Sequence, residues 1–77
     1  MKKERIVEIV EQSFVGYKAK IVKYCISSTM ELFRVAVVGN GFKVDSFGKL
    51  QSELKDYEVN IIIENDVLNF VITKNYG

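Results

Sequence analysis

A chain of 77 residues, 48% hydrophobic and 27% charged, has room for one domain and is too apolar to stay disordered. It contains no histidine and a single cysteine, Cys25, which rules out an intrachain disulfide and argues against conventional zinc sites and histidine-based nucleophile activation. The net charge of +1 is unevenly spread, +3 over residues 1–39 and −2 over residues 40–77, which permits a basic patch without requiring one.

The first predicted element is a helix over residues 2–13. Ile6, Ile9, Val10 and Phe14 recur at helical spacing, and Glu4, Glu8, Glu11 and Gln12 take the other side. Gly16 suits a helix stop, because glycine accepts the left-handed conformation beyond the last turn. Residues 17–26 read as a strand with Ala19, Ile21 and Cys25 on one face and Lys18, Lys20, Val22 and Tyr24 on the other, an alternation that Lys23 interrupts. After the polar Ser27, Ser28 and Thr29, residues 31–38 form a second strand, with Phe33, Val35 and Val37 opposed to Leu32, Arg34, Ala36 and Val38.

Gly39, Asn40 and Gly41 end that strand. Asp45 or Ser46 is expected to cap a short second helix carrying Phe47, Leu50 and Leu54 and ending near Asp56. The last two strands meet at Asn65 and Asp66, residue types that tolerate the positive φ of a two-residue hairpin turn. That turn sets Ile63 opposite Leu68, Ile61 opposite Phe70 and Val59 opposite Ile72, so all six share one face.

These elements predict an α+β fold of order α-β-β-α-β-β. One four-stranded, mainly antiparallel sheet carries both helices on one face, and a right-handed crossover through the second helix makes strands two and three parallel. Residues 1–77 are one domain in which 1–39 and 40–77 read as two versions of one pattern. Tyr17, Ile21 and Val22 correspond to Tyr57, Ile61 and Ile62, and residues 32–37 loosely match 68–73. The lysine-bearing first hairpin is the expected seat of function, and the second the expected seat of stability.

The sheet face away from the helices alternates Val22, Tyr24, Leu32, Ala36, Val38, Ile62, Val67 and Val71 with polar residues. Scattered exposed apolar side chains are ordinary. Docking of a second copy or of another protein, on this face or at a sheet edge, is the sharper reading, and a second copy would compensate for a domain that buries only about 60% of its unfolded surface. Val22, Tyr24, Ile62 and Val71 are the candidate interface residues. Lys18, Lys20, Tyr24 and Arg34 form a basic and aromatic set on the first hairpin that would suit nucleic acid, by stacking and phosphate neutralisation.

Catalytic signals are weak. Val35 to Gly41 resembles the start of a dinucleotide fingerprint, but Val44 stands where the third glycine belongs, so a tight turn is the reading. Cys25 reads as a small buried residue. Glu64 with Asp66, and Asp56 with Glu58, flank turns, where solvated charge is expected. No catalytic, cofactor-binding or metal-binding residue is assigned, and no cofactor or small-molecule substrate is expected. No apolar run approaches the roughly 20 residues of a membrane span. The start Met1-Lys2-Lys3-Glu4-Arg5 opens an amphipathic stretch rather than a signal peptide, so a cytoplasmic location is expected. The expected function is a non-enzymatic, homodimeric regulator, adaptor or phage or virus accessory protein that binds another protein, with nucleic-acid binding as the alternative.

The stretch Leu32 to Gly39, closing at Phe42, resembles the central strand and loop of BolA-type proteins, which share the opening helix–strand–strand–helix order. The resemblance covers about a third of the chain. It implies a KH-like start to the fold, but the family ends in one strand rather than a hairpin. Its iron–sulfur partnering uses a histidine that this chain lacks. The Gly-x-x-Gly loop of KH domains is missing too, so no functional residue carries over.

Overall fold

The structure is a computed structural model that describes residues 1–41 and 43–76. Phe42, where the BolA-like stretch closes, lies outside the described residues. The elements are α1 (Lys3–Ser13), β1 (Lys18–Ile26), β2 (Met30–Val38), α2 (Val44–Glu53), β3 (Glu58–Glu64) and β4 (Val67–Asn75). Helix α1 buries Ile6, Ile9 and Val10, the apolar stripe its spacing predicted. Gly16 turns the chain out of it at φ +90°, and the Tyr17 amide bonds back to the Phe14 carbonyl at 3.0 Å. Helix α2 starts earlier than expected. Its N-cap is Lys43, which makes no side-chain cap, and Asp45 instead places its negative charge within the first turn.

The fold is α+β, and the sheet runs β1-β2-β4-β3 with every pairing antiparallel. β2 and β3 run in the same direction, because each is antiparallel to β4, which lies between them. Each hairpin therefore contributes one central and one edge strand, the arrangement that a two-fold axis normal to the sheet would generate. The looser of the two sequence matches does not survive in register. Aligning 32–37 with 68–73 equates Phe33, on the core face, with Asn69, on the opposite face. Only an odd offset keeps the faces consistent.

The last hairpin has the predicted register, residue for residue, from Glu58–Thr73 to Glu64–Val67. Asn65 and Asp66 take φ values of +52° and +63°, the left-handed pair that a two-residue turn between twisted strands requires. The first hairpin departs from simple alternation. Ile21 opposes Val35 but Lys23 opposes Arg34, so Val22 is an extra residue in a β-bulge. Beyond it every side chain changes face relative to the sequence count. Lys23 joins Lys18 and Lys20 on the face away from the helices, and Tyr24 moves opposite Phe33 on the helix side. Cys25 moves opposite Leu32 and is exposed rather than buried. The Lys23 interruption was the visible trace of this bulge.

Phe14, Phe33 and Phe70 centre the core, with Ile6, Val10, Val35, Leu50, Leu54 and Ile72 fully buried around them. The Phe14 and Phe70 rings lie 5.2 Å apart, and Phe47 of α2 stacks on Phe70 at 6.0 Å. Burying each such side chain contributes about 1.5–3 kcal/mol. The helices do not cover the whole sheet face. Ten residues of α2 span roughly 15 Å, whereas nine residues of β4 span roughly 30 Å. Ile61 and Ile63, expected under the helices, are 40% and 71% exposed.

Candidate functional site

The uncovered part of the helix-side face is a trough of ≈ 540 Å³ beside the β3–β4 turn. Val37 of β2, Leu68 of β4 and Ile61 and Ile63 of β3 form its floor, and Tyr17 and Gly39 form its wall. The wall is held by a close approach that only glycine permits, since a Cβ on Gly39 would collide with the Tyr17 ring. The Tyr17 hydroxyl donates to the Asn40 carbonyl at 2.9 Å, and its ring packs edge-on against Phe14 at 5.4 Å. Of the glycines after β2, Gly39 therefore serves as a seat for an aromatic ring, and Gly41 takes the positive φ of +76° that suits a turn. Asp66 supplies an acidic rim. The trough offers an apolar surface, walled by a packed and hydrogen-bonded ring, with room for a few inserted side chains.

A polar cluster occupies the other end of the sheet. Glu31 lies on the core face in step with Phe33, Val35 and Val37, and is buried. Its carboxylate accepts hydrogen bonds from the Met1 ammonium at 2.7 Å, from the Tyr57 hydroxyl at 2.9 Å and from the Tyr76 hydroxyl. These donors, led by the ammonium and Tyr76, pull its pKa down from 4.5 to about 2. Tyr57 is pushed up, first by burial and then by its bond to Glu31, and Tyr76 is pushed up by the same carboxylate. The Lys74 ammonium lies 5.5 Å and 5.2 Å from the Tyr57 and Tyr76 ring centroids. A carboxylate held ionised so far below neutrality is poorly matched to proton transfer, which favours a pKa near the working pH. The cluster instead ties the chain start, β2 and both ends of the second hairpin together. It escaped the sequence reading, although an acidic residue in step with three core residues was a readable signal.

The face away from the helices is crossed by Arg34. Its Nε donates to Asn69 Oδ1 at 3.4 Å and its Nη2 to Glu64 Oε2 at 2.6 Å, spanning β4 from β2 to β3. Asn69, nearly inaccessible, also donates to the Val67 carbonyl at 3.1 Å. Lys18, Lys20 and Arg34 share this face with Lys23. Tyr24 does not, and its ring faces α1 with the Lys3 ammonium 4.7 Å from its centroid. The bulge thus separates the aromatic from the basic residues of the candidate nucleic-acid set. Of the candidate interface residues, Ile62 and Val71 are near neighbours on β3 and β4, Val22 stands at the distant β1 edge, and Tyr24 is on the opposite face.

Among the described residues, no cluster of three or more potential metal ligands is present, and no helix is long and apolar enough to cross a membrane. No known protein family, curated protein or solved structure matches this chain.

Proposed function

We propose that the protein is a non-enzymatic, homodimeric binding module of the regulator or adaptor kind, and that it engages a protein partner through the helix-side trough. The observation that carries this reading is the exposure of Ile61 and Ile63 on the one face where the helices would otherwise bury them. Apolar side chains left open beside a packed aromatic wall suit insertion of a partner's apolar residues, the usual centre of a protein interface. The trough lining is dominated by aliphatic residues, Tyr17 and backbone, with Asp66 at the rim. That chemistry favours burial of apolar groups over binding of phosphate. Nucleic-acid binding has less support, because Arg34 is engaged by Glu64 and Tyr24 faces α1.

Site-specific photo-crosslinking in the producing cell tests the proposal. A photoreactive residue at position 63, in the trough, is expected to give a discrete adduct with another protein. One at position 20, on the opposite face and on the far edge strand, is expected to give none. Equal labelling at both positions, or adducts with nucleic acid alone, would overturn it.

A further inference from the structure

The two outer strands of the sheet are finished in different ways. On β1, the Ala19 amide donates to the Glu11 carboxylate of α1 at 2.9 Å, so a helix side chain already occupies part of the open edge. The Val22 bulge bends the strand, and Lys18, Lys20 and Lys23 line it. Bulges, lysines and covering groups are the devices by which sheets avoid pairing at their edges. β3 has none of them. Glu58–Glu64 is unbulged and lysine-free and carries three consecutive isoleucines. Among the described residues, no side chain hydrogen-bonds to its open backbone.

The groups that β3 presents follow from its turn. In a two-residue hairpin the closing pair, Glu64 and Val67, exchanges both hydrogen bonds, and bonding pairs then alternate along the ladder. Glu64, Ile62, Asn60 and Glu58 therefore direct their amides and carbonyls to β4. Val59, Ile61 and Ile63 direct theirs outward, and the side chains of these same residues lie on the trough side.

We propose that β3 pairs antiparallel with β3 of a second copy about a two-fold axis through Ile61, making one eight-stranded sheet. Self-complementarity selects this register. Ile61 meets Ile61 of the second copy and Val59 meets Ile63, so the whole strand is paired and the outward groups make about six main-chain hydrogen bonds. Centring on Ile62 instead would pair Val59 with the turn residue Asn65 and lose two of them. The axis is normal to the sheet and leaves both helix layers on the same side. The two troughs then adjoin across Ile61 and Ile63 as one continuous apolar cleft. Glu58 opposes Glu64 of the second copy at each end of the join. The Arg34 guanidinium, 2.6 Å from Glu64, offsets part of that repulsion. The inference rests on the homodimer named above and specifies how it forms.

Sedimentation velocity over a concentration series tests it. The wild type is expected to dimerise in the micromolar range, as a small interface should. Ile61→Pro removes an outward amide that β4 does not use, so the monomer fold should persist while the dimer dissociation constant rises at least tenfold. Ile61→Lys sets a charge on the axis without altering the backbone and should weaken the dimer similarly. Glu58→Gln removes the unfavourable contact and should tighten it. A dimer indifferent to Ile61→Lys and Glu58→Gln would overturn β3 pairing while leaving a homodimer in place. A monomer throughout the series would overturn the homodimer itself.

Discussion

The two hairpins share a plan and differ at their margins. Each contributes a central strand with fully buried core residues, Phe33 and Val35 in β2 and Phe70 and Ile72 in β4. Their edge strands diverge. β1 lies against α1, carries a bulge and is lined with lysines, whereas β3 is straight, isoleucine-rich and half uncovered. The lesson is that burial constrains the centre of a sheet more tightly than its edges. Central strands need apolar side chains on the core face wherever they lie. An edge must also settle whether it accepts another strand. The expectation that the second hairpin is the seat of stability widens to both hairpins, because each buries core residues. The centres of both hairpins carry the buried core, and both edge strands are largely exposed, Val22, Tyr24 and Ile26 on β1 and Ile61, Ile62 and Ile63 on β3.

The largest expected effect tests the shared centre. Phe33→Ala and Phe70→Ala should each cost about 3–5 kcal/mol, enough to unfold most of a marginal domain. Ile63→Ala should change stability by less than about 0.5 kcal/mol. Urea denaturation followed by circular dichroism would show the contrast. If Ile63→Ala proved as costly as Phe70→Ala, the second hairpin would be anchored at its edge as well as its centre.

Next comes the wall on the first hairpin. Gly39→Ala should cost about 1–3 kcal/mol, because the Tyr17 ring must leave its seat. In a Tyr17→Ala background the same change should cost much less. A double-mutant cycle measures the difference, and additive effects would mean that the ring and the glycine do not depend on each other.

The acid dependence of stability separates the two ends of the sheet. Glu31 has a folded-state pKa below its unfolded value, so its contribution is present above pH 4.5 and is lost as the pH falls through about 2. Glu31→Gln should destabilise the protein by about 1–3 kcal/mol at neutral pH and flatten the loss of stability across that acid window. Melting temperatures of both proteins across the window provide the check, and parallel curves would contradict the assignment.

The smallest effect on folding concerns the bulge. Deleting Val22 would let Lys23 follow Ile21 directly, with both keeping their present partners Arg34 and Val35. Stability should change by less than about 1 kcal/mol, while self-association through β1 should rise, most of all when Lys18, Lys20 and Lys23 are also replaced by threonine. Light scattering would report it. An unchanged oligomer distribution would show that Glu11 and α1 alone close that edge.

The sequence by itself determined a good deal. Periodicity placed both helices and all four strands, because apolar spacing of 3.6 or 2 residues records which face of each element is buried. Asn65 and Asp66 specified the last register, since a two-residue turn leaves no freedom in which residues pair. The Lys23 interruption marked the Val22 bulge without identifying it, because alternation has no means of counting an unpaired residue. Tyr24, Lys23 and Cys25 were therefore assigned to the wrong faces. Strand order and the antiparallel meeting of β2 and β4 depend on contacts between residues far apart in the chain, which no local pattern encodes. The candidate trough was invisible for the same reason. Ile61 and Ile63 read as core by their spacing, and only the tertiary structure decided that a helix of ten residues ends before it can cover them.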